Sequence, residues 1–404
     1  MRRRFFNSSN NDVEMDLSKN YLTFTSLEDK NIISFTNTIY YSINNENWNL
    51  LNSGKTITIN AGEKIYFKGE LTPSTNNGIG TFSISKNCDI NGNIMSLLYG
   101  DDFEDKINLS DKQYAFYELF KDCLTIIDAS KLVLPALILA NYCYDGMFYN
   151  CSGLTKAPKL PATTLGSYCY NYMFYHCTSL VKAPELPATT LESYCYNYMF
   201  RGCTSLTETP KLPSENLANY CYSNMFNGCT GIKIAYRLPA MILKPYCYAN
   251  MFNGCTGLIT APELPATSLA NYCYSYMFRG CSSLTTAPQL PATTLAIYCY
   301  NQMFSACINL TQSPILPALT LVNYCYSNMF NACTNLMQVI ILATNINAYN
   351  CMNNWVSGVS AYGYFLKNPS MPTSSIPSGT SGIPNGWYVG DYNMDNLNIE
   401  NIIQ

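Results

Sequence analysis

LITAPELPATSLANYCYSYMFRG, residues 258–280, contains nearly the whole grammar of this chain. Written generally, the unit is L-x-x-A-P-x-L-P-A-T-T-L-x-x-Y-C-Y-x-x-M-F-x-G-C-x-x. One cysteine series falls at 151, 177, 203, 229, 255, 281, 307 and 333, each 26 after the last, and a second runs in the same step from 143 to 325. Two registers that stay in phase over so many periods mark a tandem array, the first thing to look for in a sequence. The first part of the unit, Leu258 to Leu264, suits a short strand, and Pro262 and Pro265 end it because proline cannot donate to a ladder. In the second part Cys273, Met277 and Cys281 stand at i, i+4 and i+8, with Tyr274 and Phe278 as a parallel row. That spacing predicts a short helix or helical turn with one buried stripe, closed by Gly280. A single unit cannot bury its own apolar stripe, so the units must stack and share one core. The expected fold is a repeat solenoid with a short parallel strand and a short helix in each 26-residue coil.

The repeat resembles the BspA-like leucine-rich repeat family, in its 26-residue L-P-A-T-T-L…C-Y-x-x-M-F-x-G-C branch, over roughly residues 114 to 350. The resemblance implies a right-handed leucine-rich-repeat solenoid used for adhesion or recognition, with no catalytic residues to carry over. Similar repeats occur in virion proteins of phages that infect gut Bacteroidales, including crAss-like phages. That likeness implies assembly in the host cytoplasm.

The flanks read differently. Leu22 and Phe24, Ile57 and Ile59, and Phe82 and Ile84 alternate with polar residues, and turns such as Asn76-Asn77-Gly78 separate the runs. Alternation of period two predicts a small antiparallel β domain over 21–98, a sandwich in form. Residues 99–150 are then a linker and a degenerate N-terminal cap, in which Tyr114 to Cys123 keeps the closing motif. The solenoid proper occupies 151–340. Residues 341–404, with Trp355 and Trp387, form a C-terminal cap and tail.

Composition narrows the function. The net charge of -3 and the lack of clustered Lys and Arg beyond Arg2, Arg3 and Arg4 exclude nucleic acid as a partner. No stretch approaches the roughly 18 apolar residues of a membrane helix, so no membrane insertion is expected. The three arginines lack the apolar run that would make a signal peptide of them. The chain is therefore expected to stay in a reducing compartment with its 19 cysteines as thiols. Cysteine spacings of 8 and 18, with His176 as the one histidine, do not fit a zinc site. His176 takes a slot held elsewhere by Gly or Ala and reads as an exposed variant. The run Asp101, Asp102, Glu104, Asp105 lacks calcium-loop spacing and reads as a solvated loop. No cofactor and no enzymatic activity are expected: the lone histidine cannot build a triad, and paired acids would have to come from isolated positions such as Glu185 and Glu263.

Two sets of residues remain as candidates. Tyr168, Tyr194, Tyr220, Tyr246, Tyr272, Tyr298 and Tyr324 each precede a cysteine and form a row on a different face from the core row Tyr170 to Tyr326. Partly exposed tyrosines can stack on sugars or anchor an interface. Arg2, Arg3, Arg4, Phe5 and Phe6 open a polar segment of about residues 1–20 that is expected to dock on another virion subunit. The expected partners are thus other virion proteins through this segment, and a bacterial surface protein or glycan on the solenoid. A homo-oligomer on a phage particle is expected, with a bacterial cell-surface adhesin as the alternative.

Overall fold

A computed structural model describes residues 16–393. The N-terminal part is built from β1 (Leu22–Ser26), β2 (Asn31–Phe35), β3 (Ile39–Ser42), β4 (Asn49–Leu51), β5 (Thr56–Ile59), β6 (Lys64–Lys68), β7 (Phe82–Ile84) and β8 (Cys88–Asn93). Alternating side chains bury one face of each of two sheets, β8-β1-β6-β3-β4 and β5-β2-β7, whose strands pair antiparallel. Between them Phe24, Phe35, Phe67 and Phe82 meet at ring distances of 4.5–5.0 Å.

The larger sheet does not stop at β8. After the two-residue β9 (Asn108–Leu109), β10 (Ile126–Val133) pairs with β8 in parallel, and Asp128 then bridges to Lys156 and Lys156 to Lys182. The β domain therefore feeds directly into the solenoid ladder. The core is shared in the same way: Phe82 stacks on Phe120, Phe120 on Phe148, and the Phe column continues through Phe174 to Phe330 before ending against Trp355. Open solenoid ends expose apolar surface and need covering; here the β domain around Phe82 covers one end, and the chain beyond Trp355, which packs on it through Phe365 and Gly382, covers the other.

The array is a β-solenoid of leucine-rich-repeat type with about 11 turns. Leu154, Leu180, Leu206, Ile232, Leu258, Leu284 and Leu310 form one fully buried row. After β11 (Ile138–Leu139), most coils make single parallel bridges on the strand side, because the A-P-x-L-P segment has lost two donors to proline. Longer strands return toward the C-terminal end: β12 (Gln312–Leu316), which keeps Pro314, then β13 (Gln338–Ile341), β14 (Tyr364–Lys367) and β15 (Tyr388–Asp391), which have no proline, in a parallel four-stranded sheet.

The expected short helix in each coil is absent from the described coils, and its replacement explains the spacing that suggested it. In the coil of Tyr168 to Cys177, alternate N–H groups donate three residues back: Asn171 to Tyr168, Met173 to Tyr170, Tyr175 to Tyr172, Cys177 to Phe174. The intervening N–H groups of Tyr168, Tyr170, Tyr172, Phe174 and His176 donate sideways to Ser193, Cys195, Asn197, Met199 and Arg201 of the next coil at 2.8–3.1 Å. Every fourth residue carries a positive φ, as at Tyr168 (60°), Tyr172 (53°) and His176 (56°). These are successive four-residue turns, with φ > 0 where a type II turn requires it. A helix would spend its N–H groups on its own carbonyls; the turn ribbon gives half of them to its neighbour. Its repeat of four residues also lines up i and i+4, which imitates a helical stripe. Cys169, Met173 and Cys177 are accordingly buried, as are Tyr170 and Phe174.

All 19 cysteines are free and buried. The second cysteine of each coil donates its thiol to the carbonyl of a phenylalanine on the preceding coil, as Cys177 Sγ does to Phe148 (3.2 Å) and Cys229 Sγ to Phe200 (3.0 Å). Burial raises their pKa values, that of Cys221 to about 12, so they remain thiols.

Candidate recognition surface

The turn ribbon turns its positive-φ residues outward, and three rows run along that face. The first is the tyrosine row expected from the sequence. Tyr168, Tyr194, Tyr220, Tyr246, Tyr272, Tyr298 and Tyr324 are half-buried and stack on one another at 4.3–4.5 Å with rings within 10° of parallel. Tyr142 and Tyr114 extend the column toward the β domain. Each ring covers the face of the next. The column therefore presents ring edges and hydroxyls, and its flat faces are not open to a sugar along its length. Burial and the neighbouring phenols raise the Tyr168 hydroxyl to about 12, so it stays protonated and can donate. The inner row, Tyr170 to Tyr326, is fully buried among the core side chains.

The second row holds Glu118, Gly146, Tyr172, Tyr198, Asn224, Asn250, Tyr276, Gln302 and Asn328, all with positive φ. The third holds Lys121, Tyr149, Tyr175 and Arg201. Where these rows begin, a cavity of about 390 Å³ opens between Glu118, Lys121, Asp145, Gly146, Tyr149, Asn171, Tyr172, Tyr175, Tyr198 and Arg201. Tyr172 stacks on Tyr198 at 4.9 Å and Tyr149 on Tyr175 at 4.6 Å. The Arg201 guanidinium lies 5.4 Å from the Tyr198 ring centre and 5.7 Å from that of Tyr175. Lys121 is paired to Glu118 at 2.8 Å. At the base, Asp145 is 7% exposed and accepts from Asn171 Nδ2 at 3.1 Å, while Asn171 accepts from Asn197 Nδ2 at 3.0 Å. Burial raises the Asp145 carboxyl to about 7; the Glu118 charge adds to that, and the Asn171 hydrogen bond opposes it.

Reading the sequence did not single out this cavity. Its signal is a departure from the repeat: CYDGMFYNC at 143–151 has Asp-Gly where the next coil, CYNYMFYHC at 169–177, has Asn-Tyr.

On the opposite, proline-rich side a groove of about 700 Å³ lies between residues 155–161 and 181–187, lined mainly by Ala157, Pro158, Leu160, Val181, Pro184 and Pro187. The equivalent coils at 183–187 with 208–213 and at 261–265 with 288–291 carry smaller hollows. On this side the exposed side chains of Arg237 and Glu263 approach to 3.5 Å.

The other sequence candidates do not converge. Glu185 and Glu263 sit three coils apart, about 14 Å at 4.8 Å per coil, beyond the reach of a glycosidase pair. Asp101 accepts from Lys68 Nζ (2.6 Å) and Tyr21 Oη (2.7 Å), and Lys68 lies 4.4 Å from the Trp48 ring centre. His176 is exposed and lies over the backbone of Gly202, where a Cβ would come within 2.7 Å of its ring. Among the described residues no group of three or more His, Cys, Asp or Glu side chains is placed to hold a metal ion. No helix among them is long and apolar enough to cross a membrane. Arg2, Arg3, Arg4, Phe5 and Phe6 lie outside the described residues.

Comparison with family profiles agrees with this architecture. The profile of the BspA type leucine rich repeat region, in six copies, matches residues 118–259 and 246–357. A leucine-rich repeat protein from Bacteroides ovatus, known from its crystal structure, aligns with 79% of this chain and 88% of its own at 15% identity and a TM-score of 0.37. No curated protein matches the chain significantly.

Proposed function

The chain belongs to the BspA-type leucine-rich repeat family, and on that premise we propose that it is a non-enzymatic recognition protein displayed on a phage particle, its solenoid turned toward the bacterial surface. The observation that carries the recognition reading is the unbroken tyrosine column from Tyr114 to Tyr324. Stacking locks each ring, so little side-chain entropy is left to lose on binding. The exposed edges and hydroxyls offer apolar and hydrogen-bonding contact together, the combination that enriches tyrosine at interfaces. Assembly inside a host cell is supported by the buried free thiols, which suit a reducing compartment. Attachment to the particle through residues 1–20, with Arg2, Arg3, Arg4, Phe5 and Phe6 as the docking side chains, belongs to the same proposal.

The test has two arms. Mass spectrometry of purified particles should find the chain, and deleting residues 2–18 should remove it from them. The purified chain should be retained on Bacteroidales cells, and Tyr220→Phe with Tyr246→Phe and Tyr272→Phe, which keeps the stack and removes three hydroxyls, should weaken retention severalfold. Particles lacking the chain would overturn the virion reading, and full retention by the triple variant would overturn the role of the column. The family itself favours a second reading, a bacterial surface adhesin; recovery of the chain in the outer surface fraction of a bacterium, with none in particles, would establish it.

A further inference from the structure

The cavity beside Gly146 is an interruption in a filled pattern. Along the second row the other outward positions carry side chains, and some of these meet the next coil, as Tyr172 meets Tyr198 at 4.9 Å and Gln302 donates to Tyr276 at 2.9 Å. At Gly146 there is none, so the Tyr172 ring has a side chain against one face and the Gly146 gap on the other. Tyr149 forms a wall of this gap, tilted 59° from the Tyr172 ring with centres 6.2 Å apart. Glu118 borders the far side, its Cγ 3.1 Å from where a Gly146 Cβ would stand. Glu118, Asp145 at the base, and Asn171, which is hydrogen-bonded to Asp145 at 3.1 Å, converge on the space, and Lys121 and Arg201 also line it.

We propose that this gap binds one pyranose unit of a neutral glycan, with the apolar face of the sugar on Tyr172 and its hydroxyls on Glu118, Asp145 and Asn171. The gap takes the place of one side chain in the row, between Glu118 and Tyr172 two coils apart, about 10 Å at ~4.8 Å per coil, which suits a single ring and not a chain segment. A phenol or another flat aromatic group would satisfy the stacking surface but only one of the polar groups, whereas a sugar carries several hydroxyls to match carboxylate and amide together. The mixed charges, with Glu118 already paired to Lys121 at 2.8 Å, favour a neutral ring over an ionic one. The inference rests on the recognition reading above and names the ligand class of one site within it.

The experiment is a saturation-transfer and chemical-shift titration of the full chain with methyl glycosides of glucose, galactose, mannose and N-acetylglucosamine, and with N-acetyltyrosine amide. At least one glycoside should bind, with transfer strongest to the protons of one ring face. Gly146→Tyr fills the gap with the residue that Tyr172 and Tyr198 provide at the same slot, with φ of 53° and 56°, and should weaken binding at least tenfold. Tyr172→Ala should do the same, with thermal unfolding reported for both variants to confirm the fold. Absence of transfer to all four glycosides, transfer to the tyrosine analogue alone, or unchanged binding in a folded Gly146→Tyr protein would each overturn the proposal. Cell retention without glycoside binding would overturn this site and leave the recognition reading standing. Glycoside binding without cell retention would do the reverse.

Discussion

Asp145 shows how one residue departs from its repeat and at what cost. Its equivalents on the following coils are Asn171 and Asn197, neutral amides that pass hydrogen bonds along the ladder at 3.1 and 3.0 Å. A carboxylate in the same buried place keeps one of those bonds but must desolvate a charge, and its pKa rises from 3.8 to about 7. Because the folded value is raised, the native state is favoured while the group is protonated, and that contribution is lost as pH rises from about 4 through about 7. Asp145→Asn should therefore stabilise the protein by roughly 1–3 kcal/mol at pH 8, with the advantage vanishing near pH 4; denaturant unfolding at both values measures it. An advantage that does not change with pH would mean the carboxyl is not the source. Glu118, Lys121 and Arg201 also face the cavity and are present in both proteins, so the comparison changes position 145 alone. A ligand that needs the carboxylate would account for retaining it despite this cost.

At the scale of the element, the turn ribbon replaces a helix by exchanging local hydrogen bonds for lateral ones. The exchange places tyrosines, a histidine and alanines at positive φ, which costs an L-residue about 1–2 kcal/mol each. Gly202, Gly228, Gly254 and Gly280 avoid that cost in the slot where Ala306 and Ala332 have φ of 60°. Ala306→Gly should consequently raise stability by about 0.5–1 kcal/mol, read as a higher denaturant midpoint at unchanged slope. A loss would show that the alanine methyl packs usefully against the next coil. The prolines act on the other side of the coil: β13, with Val339-Ile340-Ile341 in place of Pro-x-x-Pro, pairs with β14 in unbroken register, whereas its pairing with the proline-bearing β12 is irregular. The strand limit was legible from the prolines, since a missing N–H is a property of the residue. The ribbon was not, because tyrosine is a poor marker of positive φ and a four-residue repeat of turns produces the same i, i+4 rows as a helix.

Across the whole molecule, contacts run between adjacent coils, so stability should accumulate coil by coil. Removing residues 247–272 takes out one period and joins Tyr246 to Cys273 in register. The shortened chain should remain folded and soluble with a single cooperative melt by circular dichroism. Removing only residues 247–259 breaks the register of the leucine, cysteine and phenylalanine rows together and should give an aggregating product. Equal behaviour of the two deletions would contradict a ladder built on register. The same reasoning assigns the β domain a structural duty, since Phe82 begins the column that Phe120 continues at 5.8 Å and β8 begins the parallel ladder that β10 continues.

The amino-acid sequence alone determined the period, the register and the identity of the buried rows. Each ladder position repeats every 26 residues, and a row of like apolar side chains has only one way to leave water. It also marked the alternating strands of the β domain and the tyrosine row on a separate face. The tertiary structure alone decided which carbonyl each N–H would choose, because the partner of Tyr170 is Cys195 on the next coil and not a residue within its own segment. It likewise decided that the tyrosine faces are spent on one another, and that the absence of a side chain at Gly146 opens a cavity over Asp145. Those outcomes depend on what residues one coil away bring alongside, which no window along the chain contains.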